Sequence, residues 1–155
     1  MATTLVLGYD GSDCAAKALA HTVKIAGRIA DAEVFVVGAF EFSIGYVPMG
    51  MTDSPLLMSA EYDQHVDLVR EYGEQQVAEA VKVLEAAGVQ AAGAMIEGKA
   101  VDVLLETARE KKAVAIVVGS HGSGAVSAAF LGSTALKLLH HSDIPILVVP
   151  RHDRK

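Results

Sequence analysis

The sequence predicts an α/β fold, a single doubly wound domain with a five-stranded parallel sheet and helices on both faces. Strand-like and helix-like segments alternate five times along the 155 residues. Three of the strand-like segments are continuous apolar runs, which is typical of parallel strands covered on both faces. The length suits one domain with one core, so we expect residues 1–155 to form it.

Five segments rich in apolar and β-branched residues are predicted as strands. The first ends at the turn Asp10-Gly11-Ser12. The last, from Ile144 to Pro150, is expected at an edge of the sheet, where an exposed apolar strand invites pairing with a second chain. The predicted strands are residues 3–9, 32–39, 89–97, 113–119 and 144–150.

Four helices are predicted between these strands. Ser12 or Asp13 can cap the first, Gly88 stops the second, and Ser133 is expected as the N-cap of the last. The predicted helices are residues 12–30, 61–87, 99–112 and 134–142. Residues 40–60 carry two prolines and three methionines without periodicity, so they are interpreted as a loop that covers the core, packs on a partner, or closes over a ligand.

Composition and charge exclude several classes of function. The net charge of −6 argues against a nucleic-acid partner, which would require a basic face. A single cysteine allows neither a disulfide within the chain nor a thiolate zinc site. The sequence shows no signal peptide and no apolar run of membrane-spanning length, so we expect a cytoplasmic protein without a membrane partner.

The segment VVGSHGSGAVSAAFLGSTALKLL, residues 117–139, joins a predicted strand to a predicted helix and is rich in glycine. Glycine lets the backbone approach a ligand closely, and the free N–H groups at the start of a helix favour phosphate. Gly119, Gly122, Gly132 and Ser133 therefore indicate a phosphate site, although glycines that only build a turn remain an alternative. The segment has neither the lysine of a Walker loop nor the position of a dinucleotide fingerprint.

The spacing G-x-x-G, nine residues, G-[ST] resembles the ATP-binding signature of the universal stress protein family. The resemblance extends over nearly the whole chain. It includes LVLGYDGSDCAAKAL at the start, AVAIVVGSHGSG before the signature, and DIPILVVP near the end.

This resemblance implies a fold like that of the adenine nucleotide alpha hydrolases, a homodimer through the last strand, and a role in stress response or signalling. It implies binding of ATP with Mg²⁺, or of another adenine nucleotide. On the base and ribose side the implied residues are Gly8, Tyr9, Asp10 and Ala39. On the phosphate side they are Gly119, Gly122, Ser123, Gly132, Ser133 and Thr134.

One departure from the family pattern concerns charge. The nine-residue spacer SGAVSAAFL has no arginine or lysine, whereas many family members carry a basic residue there. The phosphates would then depend on N–H groups, a metal ion, His121 or Lys99. We therefore expect weaker ATP binding, or a preference for a less charged nucleotide such as cyclic AMP.

Two other classes of function remain open from the sequence. A slow ATPase or related adenylate-handling enzyme is one, although no nucleophile, base and orienting acid occur in a recognisable spacing. A nucleotide-independent interaction module is the other. Individual residues also have two interpretations: His121 contacts phosphate or faces solvent, Cys14 packs or acts as a redox thiol, and His140-His141 ends a helix or binds a metal.

Overall fold

The computed structural model describes residues 2–42, 55–122 and 130–151, with the side chains of residues 55–61 excepted. Strands and helices alternate through this part of the chain, which confirms the predicted α/β class. In chain order they are β1 (Thr3–Gly8), α1 (Asp13–Ala26), β2 (Ala32–Phe40), α2 (Pro55–Ala86), β3 (Gln90–Glu97), α3 (Ala100–Glu110), β4 (Ala115–Gly119), α4 (Ser133–His141) and β5 (Ile146–Val149).

The five strands form one parallel sheet in the order β3-β2-β1-β4-β5. The chain starts in the centre at β1, builds outward through β2 and β3, and then crosses back to β4 on the other side of β1. Strand order therefore reverses between β1 and β4, where Leu7 lies opposite Val117. The loops that leave these two strands diverge and leave a crevice at the carboxyl edge of the sheet.

The core has one layer on each face of the sheet because successive side chains of a strand point to opposite faces. Leu5 and Leu7 of β1 face a layer that contains Leu19 of α1 and Leu84 of α2. Val6 faces the opposite layer, built mainly from α3, α4 and the other side of the strands. No described helix combines the length and apolar character that a bilayer crossing requires.

Two predicted helix ends agree with the structure. Ser12 is the N-cap of α1, and its side-chain oxygen accepts a hydrogen bond from the N–H of Ala15 at 3.2 Å. Gly88 has a φ of +79°, which a residue with a side chain adopts only with strain, and it directs the chain from α2 into β3.

Other predicted helix boundaries are wrong. Helix α1 ends at Ala26 rather than near residue 30, because the chain turns there to bring Ala32 opposite Thr3. Helix α2 begins at Pro55, six residues before the predicted start at 61; proline fits a first helical turn, where its missing N–H has no cost. Residues 43–54 of the predicted loop lie outside the described residues.

The sequence predicts Ser133 as the N-cap of α4, and this prediction is wrong. Ser133 is the first residue of the helix. The N-cap is Gly132, with φ −62° and ψ 158°. Its N–H donates to the carbonyl oxygen of Ser120 at 2.7 Å, which ties it to the strand exit in an extended conformation. Helix α4 therefore begins at Ser133, one residue before the predicted start at Thr134.

Leu84 and Val83 test the core directly because they are neighbours on α2 in opposite environments. Leu84 is fully buried, whereas Val83 is about half exposed. Leu84→Ala removes buried methyl groups and leaves a cavity, so we expect a loss of about 2–5 kcal/mol in the free energy of unfolding. Val83→Ala should change it by less than about 0.5 kcal/mol. Urea denaturation measures both, and equal effects would contradict the assignment of α2's inner face.

Candidate functional site

A cavity of about 320 Å³ occupies the carboxyl edge of the sheet where strand order reverses. The structure brings together in its lining nine of the positions implied by the glycine signature and its resemblance. These are Gly8, Tyr9, Asp10, Ala39, Gly119, Gly122, Gly132, Ser133 and Thr134. The remaining predicted position, Ser123, lies outside the described residues.

The first wall of the cavity is the loop between β1 and α1. The carboxylate of Asp10 accepts a hydrogen bond from the N–H of Ser12 at 3.0 Å, which shapes a tight turn. Gly11 has a φ of +75°, and a Cβ there would collide with the amide of Gln76 on α2. The turn thus packs against Gln76 of α2, and Asp10 lies opposite the second wall of the cavity.

The second wall is the glycine segment, and its glycines are required for different structural reasons. A Cβ on Gly119 would lie 2.8–2.9 Å from the Cβ, carbonyl carbon and oxygen of Cys14, so the first turn of α1 packs directly on the end of β4. A Cβ on Gly132 would lie 3.1 Å from the carbonyl oxygen of Ser120. Both glycines are therefore explained by backbone packing.

Gly122 differs from Gly119 and Gly132 in its described surroundings. Among the described residues that are not its chain neighbours, the one atom within 4 Å of a Cβ there would be Oδ2 of Asp10, at 3.1 Å. The contact places the Asp10 carboxylate against the glycine segment, so the two loops meet across the cavity. A side chain at Gly122 would therefore extend toward Asp10 and into the space between the two loops.

The start of α4 closes the cavity on its third side. The first bond within this helix runs from the N–H of Leu136 to the carbonyl of Gly132 at 3.0 Å. The N–H groups of Ser133, Thr134 and Ala135 therefore have no acceptor within the helix, and no side chain caps them through Gly132. They lie on the cavity lining with the partial positive charge of a helix N-terminus, an arrangement that suits an anion.

His121 is buried rather than facing solvent, with 8% of its surface exposed. Its Nδ1 lies 2.8 Å from Oγ of the buried Ser120. Its Nε2 is sealed from solvent and has no hydrogen-bond partner in the part of the chain that the structure describes. An unpaired buried polar atom costs about 1–3 kcal/mol, so a partner for Nε2 of His121 would stabilise this end of the cavity.

The electrostatics of the cavity are set by few groups. Burial, followed by the nearby carboxylates of Glu79 and Asp10, raises the pKa of Tyr9, so its phenol is neutral at pH 7. No lysine or arginine side chain belongs to the described lining, and Lys99 itself stands just outside it as the N-cap of α3. Asp10 is the one acidic side chain of the described lining.

The cavity lining also contains residues that the sequence does not predict. They are apolar, and in the sequence they are indistinguishable from core residues. They are Ala15, Val37, Ala100, Leu104, Val118 and Ala135. Only the tertiary arrangement, which brings strands β2 and β4 and helices α1, α3 and α4 to the same edge of the sheet, separates them from the rest of the core.

The surroundings of the remaining candidate residues are explained by packing and by helix ends. Cys14 is buried in the first turn of α1 against Gly119. His140 and His141 are exposed at the end of α4, where positive charge suits the helix dipole. Within residues 2–42, 55–122 and 130–151, no group of three or more histidine, cysteine or acidic side chains could hold a metal ion.

The different roles of Gly119 and Gly122 can be separated by stability. Gly119→Ala should lower the free energy of unfolding by about 1–3 kcal/mol, because the backbone of Cys14 must shift. Gly122→Ala should cost less than about 1 kcal/mol, since only the end of the Asp10 side chain must move. Urea denaturation of both variants is the measurement. A larger loss for Gly122→Ala would contradict the packing described above.

Solved structures with this fold include proteins bound to nucleotides. A universal stress protein in complex with cAMP superimposes with a TM-score of 0.63 at 23% sequence identity, covering 97% of this chain and 98% of that one. A universal stress protein family protein from Arabidopsis thaliana with AMP bound gives a TM-score of 0.65 at 15% identity, covering 97% and 92%. At these identities the likeness shows the fold.

Sequence comparison shows the family. A universal stress protein of Methanocaldococcus jannaschii is 31% identical over 147 residues, covering 95% of this chain and 81% of the relative. One of Thermus aquaticus is 31% identical over 150 residues, covering 96% and 99%. The model of the universal stress protein family matches residues 1–150. The chain therefore belongs to the universal stress protein family.

Proposed function

We propose that this protein binds an adenine nucleotide in the crevice between β1 and β4 and acts in stress response or signalling in the cytoplasm. One observation carries the proposal: a single cavity of about 320 Å³ joins an apolar side to a side lined by backbone N–H groups. A nucleotide has the same two halves, an apolar base and an anionic phosphate. The complexes of related folds with cAMP and AMP support the choice of adenine nucleotides.

The chemistry of the lining assigns each part of the nucleotide to a wall. The base would lie on the apolar side, near Ala39 and Leu104. Asp10 would accept hydrogen bonds from the ribose hydroxyls, because a carboxylate is an acceptor only. The phosphate would lie between Gly122 and the first N–H groups of α4.

We infer that the ligand is ATP with Mg²⁺ or another adenine nucleotide, and the lining offers oxygen donors for the metal ion of the former. Mg²⁺ prefers phosphate and water oxygens and takes few protein ligands. The Asp10 carboxylate and the hydroxyls of Ser133 and Thr134 are the oxygen donors that line the cavity beside the proposed phosphate position. The ion would screen the charge of the β- and γ-phosphates of ATP, because the described lining supplies no lysine or arginine side chain.

The second part of the proposal is a homodimer through β5. This strand lies at an end of the sheet, and Leu147 on it is exposed. Leu136 and Leu139 of α4 are also exposed apolar side chains. Pairing of β5 with a second copy would satisfy its outer backbone groups, and Pro145 and Pro150 would limit the length of the pairing. Nucleotide binding would then alter the contacts of the dimer with other proteins.

Calorimetric titration of ligand-free protein tests the nucleotide site. We expect ATP with Mg²⁺ to bind the wild type with a dissociation constant in the micromolar range, about −8 kcal/mol. Gly122→Val should abolish binding because its side chain would fill the space beside Asp10. Gly122→Ala and thermal melting of each variant control for folding. No heat from any adenine nucleotide with the wild type would refute the proposal.

The number of phosphates is tested by the same titration with AMP, cyclic AMP and ATP. Because the described lining has no lysine or arginine side chain, we expect ATP to bind no more than about tenfold more tightly than AMP. Arginine at Ser127 or Ala128 should tighten ATP binding and leave AMP less affected. An unchanged ATP affinity in both variants would contradict the role assigned to the missing charge.

Light scattering after size exclusion tests the dimer. Leu147→Lys places a charge on the exposed edge of β5, so we expect the mass of one chain instead of two. Leu68→Lys is the control, because Leu68 is also an exposed leucine, more exposed than Leu147, but lies on α2. A Leu147→Lys protein that keeps the mass of two chains would show that the dimer does not form through β5.

A further inference from the structure

The other edge of the sheet is formed by β3, and it lies away from the nucleotide crevice. All eight residues of β3 pair in regular parallel register with β2, from Gln90 opposite Glu33 to Glu97 opposite Phe40. No described strand pairs with its outer side. The outward N–H and C=O groups of this strand therefore form a template for one more strand.

This edge lacks the features that usually prevent pairing. Its sequence, QAAGAMIE, contains no proline and no lysine, and its register has no bulge. By comparison, β5 has four residues and stands between two prolines. A long, regular edge strand without proline or lysine accepts an added strand over more residues than a short strand between prolines does.

A groove of about 520 Å³ runs beside this edge, between β3 and α2. Its floor is apolar, formed by Val77, Ala78, Val81 and Met95. Gly93 lets the two elements approach closely, since a Cβ there would lie 2.6 Å from a methyl of Val77. An added strand would direct alternate side chains into this groove, which is the mode of recognition by strand addition.

The rim of the groove is acidic. Glu74 and Glu85 lie on it with one lysine, Lys82, and Glu97 stands at the end of β3. None of these side chains forms an ion pair within the described part of the chain. A second copy of this edge would bring the same glutamates together, so the charge favours a basic partner over self-pairing.

We propose that β3 and this groove bind an extended segment of a partner protein, with apolar side chains in the groove and basic side chains at both ends. The spacing of the glutamates is close to that of the basic side chains at the two ends of such a segment. Glu74 and Glu85 are eleven residues apart, about 16 Å along α2. Residues 1 and 7 of a strand are about 20 Å apart. The proposal is independent of the nucleotide site.

The probe is the fluorescent peptide Lys-Thr-Val-Thr-Val-Thr-Lys, which places lysine, valine, valine and lysine on one face. Binding is measured by anisotropy, and its position by amide shifts of ¹⁵N-labelled protein, which should change along β3 and the facing part of α2. Two N-methylated versions, at the valines or at the threonines, identify backbone pairing. Only one set of amides faces β3, so we expect one version to lose binding and the other to keep it.

Two variants of exposed α2 residues complete the test. Ala78→Trp fills the groove and should weaken peptide binding at least tenfold. Gln75→Trp, outside the groove on the same helix, should leave it unchanged. The proposal is overturned if the peptide does not bind, if both N-methylated versions bind equally, or if Ala78→Trp has no effect. It is also overturned if Ala78→Trp changes the mass of the protein in solution, because the occupant would then be a second copy.

Discussion

The contact between the end of β4 and the first turn of α1 is the constraint on which the crevice depends. At Gly119 the strand passes so close to Cys14 that no side chain fits between them. This contact fixes the start of α1 beside the exit of β4, and with it the turn that carries Asp10. The Asp10 carboxylate then faces Gly122 across the cavity.

The glycine signature therefore combines two physical requirements in one short motif. Gly119 and Gly132 let backbones approach each other, and the hydrogen bond from Gly132 to Ser120 joins the strand exit to the helix entry. Gly122 leaves space where Asp10 and the α4 N-terminus converge. A motif that serves only a turn would need the first property, and a motif that serves only a ligand would need the second.

The sequence was sufficient for the fold class, for the order of strands and helices, and for most positions around the crevice. The fold class and the order of elements follow from apolar periodicity and from glycine, proline and cap residues, which act locally. The positions around the crevice came mainly from the resemblance to the universal stress protein family. It was not sufficient for Val37, Leu104 and Val118, whose place at the cavity depends on sheet order. The burial of His121 and the cap at Gly132 likewise involve contacts with Ser120. The apolar pattern of the sequence does not predict these contacts.

The most direct test of the account is a crystal structure of the protein grown with AMP. The account predicts the base against the apolar side near Ala39 and Leu104, and the phosphate between Gly122 and the first N–H groups of α4. A nucleotide bound elsewhere, or one whose phosphate points away from α4, would contradict the claim that these glycines and this helix start form an anion site.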